Sequence, residues 1–133
     1  MTKELVFSTS KKRQLINITN EAQKAVGESG VEEGVCLVFA PHATAAILLN
    51  EDEAGFKEDV ETLLQNWIPE GNWQHNQIDD NATAHLASAF IGQSKTIPIV
   101  DGKLKLGTWQ ELFLLELDGP RQNRKIVVTF LAA

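Results

Sequence analysis

TIPIVDGKLKLGTWQELFLLELDGPRQNRKIVVTFL, residues 96–131, decides the class of this fold. Thr96 to Val100 and Lys103 to Gly107 flank Asp101-Gly102. That dipeptide readily takes the two left-handed conformations of a type I′ turn, so the segment predicts a hairpin. Trp109 to Leu117 reads as a further strand, and Asp118-Gly119-Pro120 turns the chain. Lys125 to Leu131 closes it with a strand that passes from alternating to continuous apolar. Consecutive strands with no helix between them do not build a doubly wound parallel sheet.

Upstream, the signals alternate less regularly. Residues 4–9 and 12–18 read as short strands. Asn20 with Gln23 fits a capping box, opening a helix that buries Ala22, Ala25 and Val26 and stops at Gly30. The apolar run Gly34 to Phe39 is a strand broken by Pro41, and residues 43–49 follow it as a second strand. Asp52 is positioned to cap a longer helix, in which Phe56, Val60, Leu63, Leu64 and Trp67 make an apolar stripe. Pro69 and Gly71 end it. Residues 69–80 form a long polar loop, of the kind that often carries function. Asp80 is placed to cap a third helix over 81–91 that stops at Gly92. The order β-β-α-β-β-α-α-β-β-β-β predicts an α+β fold. We expect one domain over residues 1–133, with a mainly antiparallel or mixed β-sheet sandwich core and about three helices.

Composition narrows the functional classes. Among 133 residues, 18 acids against 12 Lys and Arg give a net charge of -6, against a nucleic-acid or anionic-membrane partner. No Tyr and only three Trp argue against an aromatic platform for bases. The lone Cys36 can form neither an internal disulfide nor a CxxC metal knuckle. No apolar run approaches the length of a membrane span, and Met1-Thr2-Lys3-Glu4 opens no signal-peptide core. The reading is a soluble protein of a reducing cytoplasm.

Chemistry concentrates around three histidines. His42 stands where one apolar strand breaks and the next begins, followed by Thr44 and, further on, Asn50-Glu51. His75 lies in the polar loop after Trp73. His85 follows Asp79-Asp80-Asn81 at a helix start. Imidazole suits first-row divalent metals, and three protein ligands plus water is the usual catalytic zinc arrangement. Glu51, Asp79 and Asp80 are available as a further ligand, an orienting group or a general base. The alternative is structural: each histidine bonds a carboxylate or caps a helix, and His85 packs among alanines. Arg121 and Arg124 could clamp a phosphate or carboxylate, or sit in a solvated turn. Gly107-Thr108-Trp109-Gln110 is either a strand junction or part of a site. P-loop, GxGxxG, GxSxG and HExxH patterns are absent.

Taken jointly, several motifs resemble the YjbQ-like family. They are His42-Ala43-Thr44-Ala45-Ala46-Ile47 with Asn50-Glu51, His75, Asp80-Asn81-Ala82 with Ala84-His85-Leu86, Asp101-Gly102, Leu106 to Gln110, and Asp118-Gly119-Pro120-Arg121. The resemblance spans about residues 4–131 and implies an α+β fold and a compact homotrimer. It also implies a secondary thiamine-phosphate synthase activity, joining a pyrimidine pyrophosphate to a thiazole phosphate with release of pyrophosphate. His42, His75 and His85 match the family's histidines; Glu51, Asp80, Asn81, Trp109 and Gln110 match its polar positions. Ala43 replaces a more usual Thr, and Trp73 stands where Tyr is commoner.

The combined expectation is a small-molecule enzyme with His42, His75, His85, Glu51 and Asp80 in catalysis. Thr44, Asn81, Trp109, Gln110 and Arg121 would bind a small phosphorylated or anionic ligand. The three histidines would hold a divalent metal, zinc or another first-row ion, with magnesium under the thiamine-phosphate reading. A non-catalytic anion-binding trimeric module and a structural metal site are the alternatives.

Overall fold

A computed structural model describes residues 1–133. The strands form two antiparallel sheets packed face to face. Sheet A has the order β1-β8-β3-β5-β6, from β1 (Thr2–Phe7), β8 (Arg124–Ala132), β3 (Gly34–Phe39), β5 (Ser94–Val100) and β6 (Lys103–Leu104). Sheet B has the order β2-β7-β4, from β2 (Gln14–Asn17), β7 (Glu111–Glu116) and β4 (Ala45–Asn50). Three α-helices complete the domain: α1 (Thr19–Ser29), α2 (Ala54–Trp67) and α3 (Ala82–Ile91). The expected α+β class, single domain and antiparallel sandwich core are all observed.

Strand periodicity explains the layering. Leu112 and Leu114 of β7 face the space between the sheets, where they meet Cys36 and Val38 of β3, Ile97 and Ile99 of β5, and Ile126 and Val128 of β8. Ala22, Ala25 and Val26 of α1 close the same core. The alternate residue Leu115 points to the opposite face and packs with Ala46, Leu64 of α2, and Ala84 and Ala87 of α3. β7 is therefore apolar from Leu112 to Leu115, because both of its faces are covered there. Small side chains let α3 lie close to β4, and the Ser88 hydroxyl donates to Ala45 O at 2.6 Å. The outer face of sheet A carries no second layer, leaving Val6, Phe39 and Leu131 exposed. No helix is long and apolar enough to cross a membrane.

The Asp101-Gly102 turn is as expected, with φ of 52° and 73° at its two residues. Several boundaries differ. The first strand lies two residues earlier than read, the second is shorter, and β6 stops at Leu104 instead of reaching Gly107. β7 begins at Glu111, so Trp109 sits in the preceding turn, 72% exposed. Asn20 does not open α1; Asn17 Oδ1 accepts the Thr19 N–H at 3.0 Å. Asp52 does not cap α2, because it is held by Asn17 at 2.9 Å and Lys57 at 2.7 Å. Glu53 takes the cap, accepting from Gly55 and Phe56 N–H at 2.6 and 2.7 Å. Asp80 does not cap α3 either; Asn76 Oδ1 accepts the Ala82 N–H at 3.0 Å. Of the α2 stripe only Leu64 is buried, while Leu63 and Trp67 stay more than half exposed.

At the start of β3, Gly34 lies directly against the backbone of β8. A Cβ there would stand 2.0 Å from Leu131 O, a backbone atom that cannot swing away. Gly34→Ala is expected to destabilise the domain by about 2–4 kcal/mol in urea unfolding, with an unchanged m-value. Wild-type stability in that variant would show that β3 and β8 are not packed this closely.

Candidate functional site

The antiparallel register of sheet B sorts the candidate residues. Ala45 pairs with Glu116, and Asn50 pairs with Glu111. At about 3.4 Å per residue, the two ends of this ladder lie roughly 17 Å apart. Glu51, Trp109 and Gln110 flank one end; His42, Thr44, Asp118 and Arg121 flank the other. The expected site is therefore divided within one chain. At the first end, Gln110 spends its side-chain oxygen on Gly107 N–H at 2.8 Å, and Glu51 forms no side-chain bond.

A buried ion pair anchors the second end. Glu116, in the last position of β7, is 0% exposed, and Arg124, in the first position of β8, is 3% exposed. Arg124 donates to Glu116 through Nε at 2.9 Å and Nη2 at 2.5 Å. The same Nη2 reaches the Thr44 hydroxyl at 2.9 Å and Thr44 O at 3.1 Å. Glu116 also accepts from the Thr9 hydroxyl and from the N–H groups of Leu117 and Asp118, at 2.8, 3.0 and 3.0 Å. Burial opposes ionisation of Glu116, but Arg124, the Asp118 N–H and the Thr9 hydroxyl outweigh it and hold its carboxyl below the usual range. Arg124 is buried and spends Nε and Nη2 on this frame, so its role here is structural. Thr44 is 6% exposed and serves the same frame.

A polar chain runs outward from this anchor. Arg121 donates to Asp118 through Nη2 to Oδ2 at 2.9 Å and through Nε to the backbone oxygen at 3.0 Å. Asp118 Oδ2 also accepts from Asn81 Nδ2 at 2.9 Å. Asn81 Oδ1 lies 2.9 Å from His75 Nε2. The carboxylate can only accept, so the amide nitrogen of Asn81 must face it and the amide oxygen must face His75. Nε2 of His75 therefore carries a proton and donates, and its Nδ1 is left uncommitted. His85, from the first turn of α3, packs against His75 with ring centroids 4.3 Å apart and planes tilted by 54°.

His42 belongs to the same end of the molecule but not to the pair. Its Nε2 lies 2.9 Å from Lys125 N and 3.0 Å from Lys125 O, so β8 holds the ring from one side and Nδ1 is free. Burial lowers its readiness to protonate, and the positive charges of Arg124 and Arg121 add to that effect. The residues do not fit the expected three-histidine metal site. No group of three or more His, Cys, Asp and Glu side chains comes close enough to hold an ion. Asp80 is exposed, and the bond formed there is from its backbone N–H to the Asp79 side chain. Cys36 is buried, and burial pushes its thiol up to about 11, so it is no nucleophile.

The central residues missed as candidates are Glu116 and Thr9, together with the roles of Asp118 and Arg124. A signal existed for the first: Glu116 is the one charged residue in Leu112-Phe-Leu-Leu-Glu-Leu117, a run too apolar to be solvated.

A family model described as "UPF0047 protein YjbQ-like" matches residues 3–133. A UPF0047 protein of Methanothermobacter thermautotrophicus is 42% identical over 129 residues, covering 96% of this chain and 90% of the relative. The UPF0047 protein YugU of Bacillus subtilis is 34% identical, with 91% and 92% covered. A Sulfolobus solfataricus crystal structure, described as a YbjQ-like protein of unknown function, superposes with a TM-score of 0.97 at 43% identity. It covers 100% of this chain and 97% of the other.

The lowered carboxyl of Glu116 sets a pH dependence. An acid whose folded pKa lies below its unfolded value, about 4.3, stabilises fully above that value and loses its contribution as pH falls through the folded pKa. Glu116→Gln is expected to cost about 3–5 kcal/mol at pH 7, because Arg124 is left buried without its charge partner. The difference from wild type should shrink as pH falls below about 4 in urea unfolding. A constant difference across that range would contradict the assigned ionisation.

Proposed function

This chain belongs to the YjbQ-like UPF0047 family, and we propose that its site is that of a small-molecule enzyme acting on a phosphorylated or anionic ligand. The observation that carries the reading is the hydrogen-bonded chain Arg121–Asp118–Asn81–His75 beside His85. It has the parts of an acid–base device: a base, a group that orients it, and a carboxylate that orients that group. His75 Nδ1 takes a proton from the attacking group, while Asn81 keeps Nε2 protonated and the ring in place. His85 supplies a second imidazole within reach of the same ligand, suited to return the proton to the leaving group. Arg121 keeps an unpaired Nη1, and His42 an unpaired Nδ1, at the same end of sheet B; together they suit an anionic group.

In the transfer implied by the family resemblance, a pyrimidine pyrophosphate onto a thiazole phosphate, the attacking ring nitrogen carries no proton, so there the imidazoles would serve the departing pyrophosphate alone. These steps are carried by side chains alone; within one chain no group of three His, Cys, Asp or Glu side chains gathers to hold an ion. Glu51, Trp109 and Gln110 stand apart from the pair, and the homotrimer reading offers a way for a neighbouring copy to bring them near. The uncovered outer face of sheet A, with Val6, Phe39 and Leu131 exposed, is the surface such an assembly would cover. The buried, unpaired thiol of Cys36 suits the proposed cytoplasmic setting.

The test is a panel of small phosphate esters and pyrophosphates, scored for phosphate or pyrophosphate release. Turnover is expected to fall by about 10²–10⁴-fold in His75→Ala, and Arg121→Ala is expected to raise KM. Ligand binding without any turnover would replace the enzyme reading with that of an anion-binding module. Turnover unaffected by His75→Ala would refute the assigned base.

A further inference from the structure

Helix α2 is the element least explained by the sandwich. Its apolar stripe buries only Leu64, with Val60 beside it partly buried, and polar contacts supplement that packing. Glu53 caps its start, Lys57 pairs with Asp52, and Glu61 pairs with Arg13 through Nε at 2.7 Å and Nη2 at 2.5 Å. Standing off from β2 in this way, α2 leaves an open groove of about 510 Å³ between itself and the sheet. That volume lies within the range of small-ligand sites. The groove is separate from the histidine pair and shares no lining residue with it.

The lining has two characters. Leu15, Val60, Leu64 and Leu115 supply apolar surface. Lys11, Arg13 and Gln14 line the groove on the side of the β1–β2 connection and β2. Several side-chain donors of the lining remain unspent. Arg13 satisfies Glu61 with two of its nitrogens and keeps Nη1 free. Gln14 uses its oxygen to accept the Ser10 N–H at 2.8 Å, which turns its amide nitrogen outward as a donor. Lys11 forms no ion pair or hydrogen bond, and Glu58 is the one acid of the lining that is likewise unpaired. Three donors stand over the apolar floor, and Lys11 is the cation among them that no carboxylate pairs.

We propose that this groove binds an amphiphilic organic anion, with its phosphate or carboxylate against Lys11, Arg13 and Gln14 and its apolar body along Leu15, Val60, Leu64 and Leu115. Binding here does not depend on the histidine site.

The experiment is a titration of the whole chain with octyl phosphate, followed by methyl and imidazole NMR. Shifts are expected at Leu15, Val60, Leu64 and Leu115, and Lys11→Glu is expected to weaken binding by about tenfold, equivalent to about 1.4 kcal/mol. Lys11 is exposed, so the variant does not threaten the fold. Inorganic phosphate alone is expected to leave these methyls unmoved. Octyl phosphate that shifts only His75 and His85, that shifts nothing, or that binds Lys11→Glu as tightly as wild type would overturn the proposal.

Discussion

The Glu116–Arg124 pair is the interaction on which the rest of this structure depends. Glu116 ends a strand of sheet B and Arg124 begins a strand of sheet A, so the pair joins the two layers where they diverge. Removing two charges from water costs several kcal/mol per ion, and such a pair survives only when its remaining hydrogen-bonding capacity is met. Here it is met by Thr9, Thr44 and the N–H groups of Leu117 and Asp118. No buried side-chain nitrogen or oxygen lacks a partner. What the pair contributes is geometry more than net stability: it sets the direction in which residues 117–121 leave the sandwich.

From that direction the site follows. Asp118, whose own N–H is held by Glu116, presents its carboxylate to Asn81 and Arg121. Asn81 carries the orientation across to the loop that bears His75, and α3 brings His85 beside it. The buried frame is cross-bonded among Glu116, Arg124, Thr9 and Thr44, and the outer groups keep free nitrogens because nothing in the chain claims them. Burial thus divides two neighbouring arginines into different tasks: Arg124 is structural and Arg121 faces outward.

The order of elements was legible because strand and helix periodicities and turn dipeptides are local signals. Caps were less so. Asp52 is a better cap by residue type than Glu53, but a long-range bond to Asn17 draws it away. The α2 stripe had the right period for a buried face, yet period cannot say how far a helix stands from its sheet. The histidines were recognisable as chemistry, and two of them do meet. Their division from His42, and the distance to Glu51, Trp109 and Gln110, depend on a strand register that becomes visible only when β4 lies against β7. Asp118 looked like a turn residue, since its partners lie 37 positions upstream at Asn81 as well as locally.

The most direct measurement replaces the anchor and reads the site. A Glu116→Met, Arg124→Leu double variant removes both buried charges together and leaves neither unpaired. It is expected to keep the two-sheet fold, while the imidazole NMR signals of His75 and His85 shift and broaden as the 117–121 segment loses its fixed direction. Imidazole signals that superimpose on those of the wild type in a folded double variant would contradict the claim that this pair positions the site.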